Sequence, residues 1–177
     1  VQADMVIIGA GIMPNVELAE NAGLSCDNGI VVNEFGKTDH ANIYACGDCT
    51  NHPNKLLNKK IRLESVHNAM EQSKTVASSI INKSLAYNQI PWFWSDQYDH
   101  KLQIVGLSGD HDKVTMRGDM SEAKFMMFYT KDEKLIAVDA VNNSKEFLIC
   151  KKLVANKVTI KPDEISNPAT NLNDLIE

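Results

Sequence analysis

The sequence predicts an α/β unit followed by an α+β unit, the second built on an antiparallel sheet with a packed helix. Three observations carry that expectation. Short apolar runs at residues 5–8, 30–32 and 43–46 alternate with turn and helical stretches, the pattern of buried strands in α/β folds. Between residues 64 and 82, Val66, Ala69, Met70, Ser73, Val76, Ala77, Ile80 and Ile81 recur at three- and four-residue steps, which predicts one apolar helix face. Beyond Pro91, short β-prone segments follow one another with turn residues between them.

The elements follow in order. Residues 14–19 read as a turn into a short helix that stops at Gly23. Gly47-Asp48 ends the third apolar run abruptly, and Lys83 and Ser84 end the long helix. Strands are expected at residues 101–106, 113–117, 124–129 and 135–139, with Gly109-Asp110 and Asp132-Glu133 as turns. A helix over Ser144–Ala155 closes the unit. Two prolines and several Asn and Asp residues then predict a loosely held tail, with a short helix at residues 172–176. The expected units are therefore 1–84, 85–160 and a tail of 161–177.

Composition narrows the function classes. A chain of 177 residues suits one domain or two small ones and buries a core without a staple. A net charge of −5 gives no reason to expect nucleic acid, which wants clustered positive charge. No apolar run reaches the roughly 18 residues of a membrane span. Four cysteines are too few for a secreted disulfide scaffold and read as thiols of a cytoplasmic protein.

Residues 38–48 carry the first chemical signal. An apolar run closes on a glycine and a carboxylate, at the sheet edge where α/β folds bind ligands. Glycine admits close approach of a ligand, and an acceptor-only carboxylate grips a sugar hydroxyl. Taken alone, such a Gly-Asp is more often a simple turn. The helix start at Glu64-Ser65-Val66 presents unpaired N–H groups and the positive end of a macrodipole, which favours negative charge. The plain alternative is that Glu64 and Ser65 cap a core helix. Trp92, Phe93 and Trp94 by themselves read as core and interface packing.

Taken together, residues 38–48, 62–72, 91–98 and 9–15 resemble, in order, motifs of two-dinucleotide-binding-domain flavoprotein reductases. The branch they resemble is that of the putidaredoxin, rubredoxin and dioxygenase ferredoxin reductases, within the FAD-dependent pyridine nucleotide-disulfide oxidoreductase superfamily. The resemblance implies that residues 1–84 are the end of an NAD domain and the second half of an FAD-binding Rossmann-like domain. It implies that Gly47 and Asp48 hold the FAD ribityl chain. Ser65 and Val66 would meet the flavin, Val66 through its backbone, and Trp94 would lie beside the ring. Gly9, Gly11 and Glu64 would lie near the nicotinamide of NAD(P)H. No side chain would act as catalytic acid or base, since the flavin carries the chemistry. The implied electron acceptor is a ferredoxin-type iron–sulfur protein. Arg62, Lys101 and Arg117 are the basic residues available for a local docking patch.

Two features invite other readings. Cys46-Gly47-Asp48-Cys49 is a C-x-x-C, yet it sits at a strand end rather than opening a helix, and no second pair completes a zinc site. Gly9-Ala10-Gly11 lacks the third glycine of a dinucleotide fingerprint, because Pro14 stands there. The five histidines show no metal spacing and read as surface or loop residues.

No G-x-G-x-x-G occurs, and the chain opens on Val1. The expectation is therefore the C-terminal part of a longer reductase. Alone it would bind FAD weakly, and its uncovered strands and apolar face would favour rearrangement or self-association. Two rivals stand beside this. One is a flavoprotein of the NADH oxidase, coenzyme A disulfide reductase or apoptosis-inducing-factor kind, against which the Trp92 to Gln97 signature argues. The other is a non-catalytic interaction or dimerisation module.

Overall fold

The computed structural model describes residues 1–83 and 85–176. Its first unit holds α1 (Glu17–Asn21), β1 (Ile30–Val31), β2 (Thr50–Asn54), β3 (Lys59–Ile61) and α2 (Val66–Ile80). β2 is central, parallel to β1 and antiparallel to β3. The second unit holds β4 (Trp92–Gln97), β5 (His100–Gly106), β6 (Lys113–Asp119), β7 (Lys124–Lys131), β8 (Lys134–Val141), α3 (Ser144–Ala155) and α4 (Pro162–Ser166). A 3-10 turn over Leu172–Leu175 follows. The five strands form one antiparallel sheet in the order β4-β5-β8-β7-β6.

The second unit has the α+β form the sequence predicts. The hairpin between β7 and β8 turns on Asp132 and Glu133, both with positive φ, the pair of conformations a two-residue primed turn requires. One sheet face presents Val105, Met126, Phe128, Val138 and Ala140 to Phe147, Cys150, Leu153 and Val154 of α3, all fully buried. Alternation along each strand builds that face, and the three- and four-residue spacing on α3 meets it.

The tail departs from expectation. Ile165 and Leu172 are buried in this same core. The Arg117 guanidinium, on the inner face of β6, donates to the carbonyl oxygens of Ile165, Asn167, Pro168 and Thr170 and to the Glu146 carboxylate. Residues 161–176 are thus pinned by a buried cation that accepts no bond itself and satisfies the carbonyls at the end of α4 and in the irregular stretch after it. Proline and asparagine content set the tail's irregular shape and did not decide its burial.

The first unit differs more. Residues 5–8 form no regular element and pair with no strand among the described residues, and Met5, Val6, Ile7 and Ile8 are exposed. Apolar β-formers make a strand only when a neighbour takes their N–H and C=O groups. Residues 43–46 make a single bridge, Tyr44 to Lys37, and the strand begins only at Thr50. Gly47-Asp48 therefore lies in the turn entering β2, not at the end of a strand. Trp92 to Gln97, ahead of the first strand expected at residue 101, is the edge strand β4.

The largest reversal is α2. Its buried side is Asn68, Gln72 and Thr75, while Val66, Met70, Ile80 and Ile81 of the predicted apolar face are exposed. Asn68 and Gln72 can be buried because their side chains find hydrogen bonds, which removes the desolvation penalty. Asn68 donates to the Leu63 carbonyl and accepts from the Tyr87 hydroxyl. Tyr87 also donates its N–H to Glu34 O, so residues 85–91 run tied across the first unit.

Candidate flavin-binding site

The Gly47-Asp48 turn is held from two sides. The Gly47 N–H donates to Gln72 Oε1 at 2.6 Å, and the Thr50 N–H donates to Gly47 O at 3.1 Å. The Thr50 hydroxyl lies 2.9 Å from both Gln72 Oε1 and the Gly47 carbonyl, so its proton serves one or is shared. Gly47 has φ +85°, a conformation that costs an L side chain about 1–2 kcal/mol. A Cβ there would stand 3.6 Å from Ala69 Cβ, so the turn rides directly on α2. Gly47 itself is buried, and the next residue, Asp48, is exposed. No partner for the Asp48 carboxylate is found among the described residues.

Arg62 fastens that turn to the helix start. Its Nη1 donates to Asp48 O at 3.4 Å and to Glu64 Oε1 at 2.6 Å. Nε donates to Asn28 Oδ1 at 3.2 Å and Nη2 to Ile12 O at 3.4 Å. The Arg62 side chain is 11% exposed, so it is a buried clamp and not a docking charge. Arg117 is buried on the tail, so the basic patch of Arg62, Lys101 and Arg117 does not form.

Ser65, not Glu64, caps α2: its Oγ accepts the Asn68 N–H at 3.0 Å. The first turn carries no acidic side chain, and Val66 is exposed at its start. That leaves the positive helix end open to a ligand.

An aromatic group joins this helix start to the second unit. His67 lies 5.5 Å from Trp92, centroid to centroid, and Trp92 lies 5.2 Å from Trp94 at 31° between planes. Lys151 Nζ sits 4.4 Å over the Trp92 ring, a cation–π contact. Burial lowers the pKa of His67 and of Lys151. Trp92 packs against Phe147 while Trp94 remains exposed.

Of the predicted residues, Gly47, Asp48, Glu64, Ser65 and Val66 are thus brought together, with Trp94 reached through Trp92 and His67. Gly9 and Gly11 are exposed on the N-terminal segment, tied to the group only by the neighbouring Ile12 carbonyl. Sequence reasoning missed Gln72, Thr50 and the clamping role of Arg62. A polar residue every third or fourth position inside a helix was the available signal for Gln72. It also misplaced His52, which is buried in β2 with its ring edge 5.1 Å from Tyr87. Among the described residues no cluster of three His, Cys, Asp or Glu side chains could hold a metal, and no helix is long and apolar enough to cross a membrane.

Two family profiles divide the chain: pyridine nucleotide-disulphide oxidoreductase over residues 1–73 and reductase C-terminal over residues 92–176. The chain is 39% identical over 174 residues to putidaredoxin reductase CamA of Pseudomonas putida, covering 98% of this chain and 41% of that protein. The chain belongs to the ferredoxin reductase branch of the pyridine nucleotide-disulphide oxidoreductase superfamily. Within this branch it is also 38% identical over 145 residues to rubredoxin-NAD(+) reductase of Pseudomonas putida, covering 82% of this chain and 38% of that protein. The fold matches the crystal structure of the covalent putidaredoxin reductase–putidaredoxin complex with a TM-score of 0.91 at 39% identity, covering 98% of this chain and 42% of that one. The chain spans about two fifths of the length of these branch relatives.

Proposed function

We propose that this chain supplies one wall of the flavin site in an FAD-dependent NAD(P)H oxidoreductase whose electron acceptor is a ferredoxin-type iron–sulfur protein. The supporting observation is the arrangement of Asp48 and the α2 start. An exposed carboxylate on a buried, left-handed glycine turn is clamped through Arg62 beside an acid-free helix N-terminus. These residues fit FAD: the Asp48 carboxylate accepts a ribityl hydroxyl, and the close backbone at Gly47 leaves room for the chain.

FAD held by these residues would supply the hydride-accepting and one-electron-releasing chemistry that no side chain here provides. The residues here bind and orient it. The Val66 N–H and the helix end favour negative charge on the ring edge facing them. Trp94 shields the ring from water, and Trp92 with Lys151 holds Trp94 in place. Gly9, Gly11 and Glu64 approach the nicotinamide. In this reading residues 1–84 belong to the nucleotide-binding part, residue 85 onward to the C-terminal unit, and the thiols suit a cytoplasmic setting.

The test uses the longer protein that carries this sequence, purified with FAD. NADH-dependent reduction of a [2Fe–2S] ferredoxin is expected, with at least tenfold weaker flavin retention in Asp48→Ala at unchanged thermal stability. Equal retention in the variant would overturn the role of Asp48, and absence of flavin-dependent electron transfer would overturn the function. This chain alone is expected to bind FAD weakly, and sub-micromolar binding would contradict that.

A further inference from the structure

Cys46 and Cys49 bracket Gly47-Asp48, and the proposed flavin role uses neither sulfur. Both are free and half-buried. Cys49 Sγ lies 3.6 Å from the Cys46 carbonyl oxygen. A carbonyl oxygen stands about 2.4 Å from its own Cα, so this sulfur is within about 6 Å of the Cys46 Cα. The backbone curls at the same place, through Gly47 at φ +85° and the Thr50 N–H to Gly47 O bond. That turn runs from Gly47 to Thr50 and holds Cys49 at one of its two central positions, with its sulfur folded back toward Cys46. Burial, and then the charges of Cys46 and Asp48, push the Cys49 thiol above its ordinary range. Of the other two cysteines, Cys26 makes a backbone bridge to Ile30, whose N–H donates to Cys49 O, and Cys150 is fully buried in the second core.

We propose that Cys46 and Cys49 form a dithiol–disulfide site whose oxidation reshapes the Gly47-Asp48 turn. The consequence for flavin rests on the function proposed above, whereas the disulfide itself does not. The co-reactant is a small disulfide of the glutathione class. The Cys46 thiolate attacks one of its sulfurs, and one glutathione leaves and takes up a proton. The Cys49 thiolate then displaces the second glutathione from the mixed disulfide. One S–S bond breaks and one forms; the protein loses two electrons and two protons, and two glutathione thiols gain them. To bond to Cys46 the Cys49 sulfur must leave the Cys46 carbonyl. The ring closes around Gly47 and Asp48, disturbing the Gly47 N–H bond to Gln72 and re-aiming the carboxylate.

The experiment equilibrates this chain with glutathione disulfide and maps thiols by differential alkylation and mass spectrometry. Cys46 and Cys49 are expected to become protected together, within one peptide two hydrogens lighter, at least tenfold more readily than Cys26. Amide exchange at Gly47 is expected to change at least tenfold on oxidation and to revert with dithiothreitol. In Cys46→Ser, no such peptide forms and Gly47 exchange stays at its reduced rate. Free Cys46 and Cys49 after equilibration, or pairing with Cys26 or a second copy, would overturn the site. A Cys46–Cys49 disulfide with unchanged Gly47 exchange would overturn the effect on the turn. None of these readouts needs flavin, so they stand or fall apart from the function.

Discussion

Gln72 Oε1 accepts the Gly47 N–H at 2.6 Å across 25 positions of sequence, with Gln72 buried to 3% exposure. A helix side chain therefore fixes the backbone of the turn that presents Asp48. Gln72→Leu removes the acceptor while keeping the volume, leaving the Gly47 N–H buried and unpaired. The expected cost is about 1–3 kcal/mol, read as a lowered urea midpoint with unchanged slope. A midpoint equal to that of the parent chain would mean the bond contributes nothing.

Gly47 tests the turn from the backbone side. With φ +85°, Gly47→Ala is expected to cost about 1–2 kcal/mol through strain alone, since the space beside Ala69 admits a methyl group. Asparagine tolerates this conformation better, so urea midpoints should fall in the order glycine, asparagine, alanine.

The Arg117–Glu146 pair sets an acid limit on the second unit. Burial alone would raise the Glu146 pKa, but hydrogen bonds from Arg117 and Asn143 outweigh it and hold the carboxyl below its ordinary 4.5. The unfolded chain binds the proton more tightly than the native one. The contribution is complete above about pH 4.5 and is lost as pH falls through the lowered native value. Arg117→Met should release the tail, giving chymotryptic cleavage near Leu172, and should flatten this acid dependence. A tail that stays protected in the variant would contradict the role of Arg117.

His52 acts at a higher pH. Burial lowers its pKa below the ordinary 6.5, so the native chain resists the proton that the unfolded chain accepts. Its contribution is complete above about pH 6.5 and fades as pH drops from there toward the native value. His52→Gln should lessen, without abolishing, the fall in stability of the first unit between pH 7.5 and 5.5, because His67, also lowered by burial, supplies the remainder. Urea midpoints that fall equally in both proteins over that range would assign the effect elsewhere.

Sequence patterns carried the second unit well because each local signal agreed with its tertiary setting. The Asp132-Glu133 turn, the alternation through residues 124–129 and the face of α3 all point to one core. They failed on α2 because periodicity counts apolar side chains and is blind to the hydrogen bonds that let Asn68 and Gln72 be buried instead. They failed at residues 5–8 because strand propensity says nothing about whether a neighbour is there to pair.

The sequence by itself determined the antiparallel unit, its helix and the family, since short-range alternation, turn residues and motif order are local properties of the chain. Only the tertiary structure decided that Arg62 joins Asp48 to the start of α2, that Gln72 holds Gly47, and that Arg117 buries the tail. Each of those is a polar bond between residues 14 to 53 positions apart. The partners come within reach only once the chain is folded, and burial strengthens the Gln72 and Arg117 bonds further.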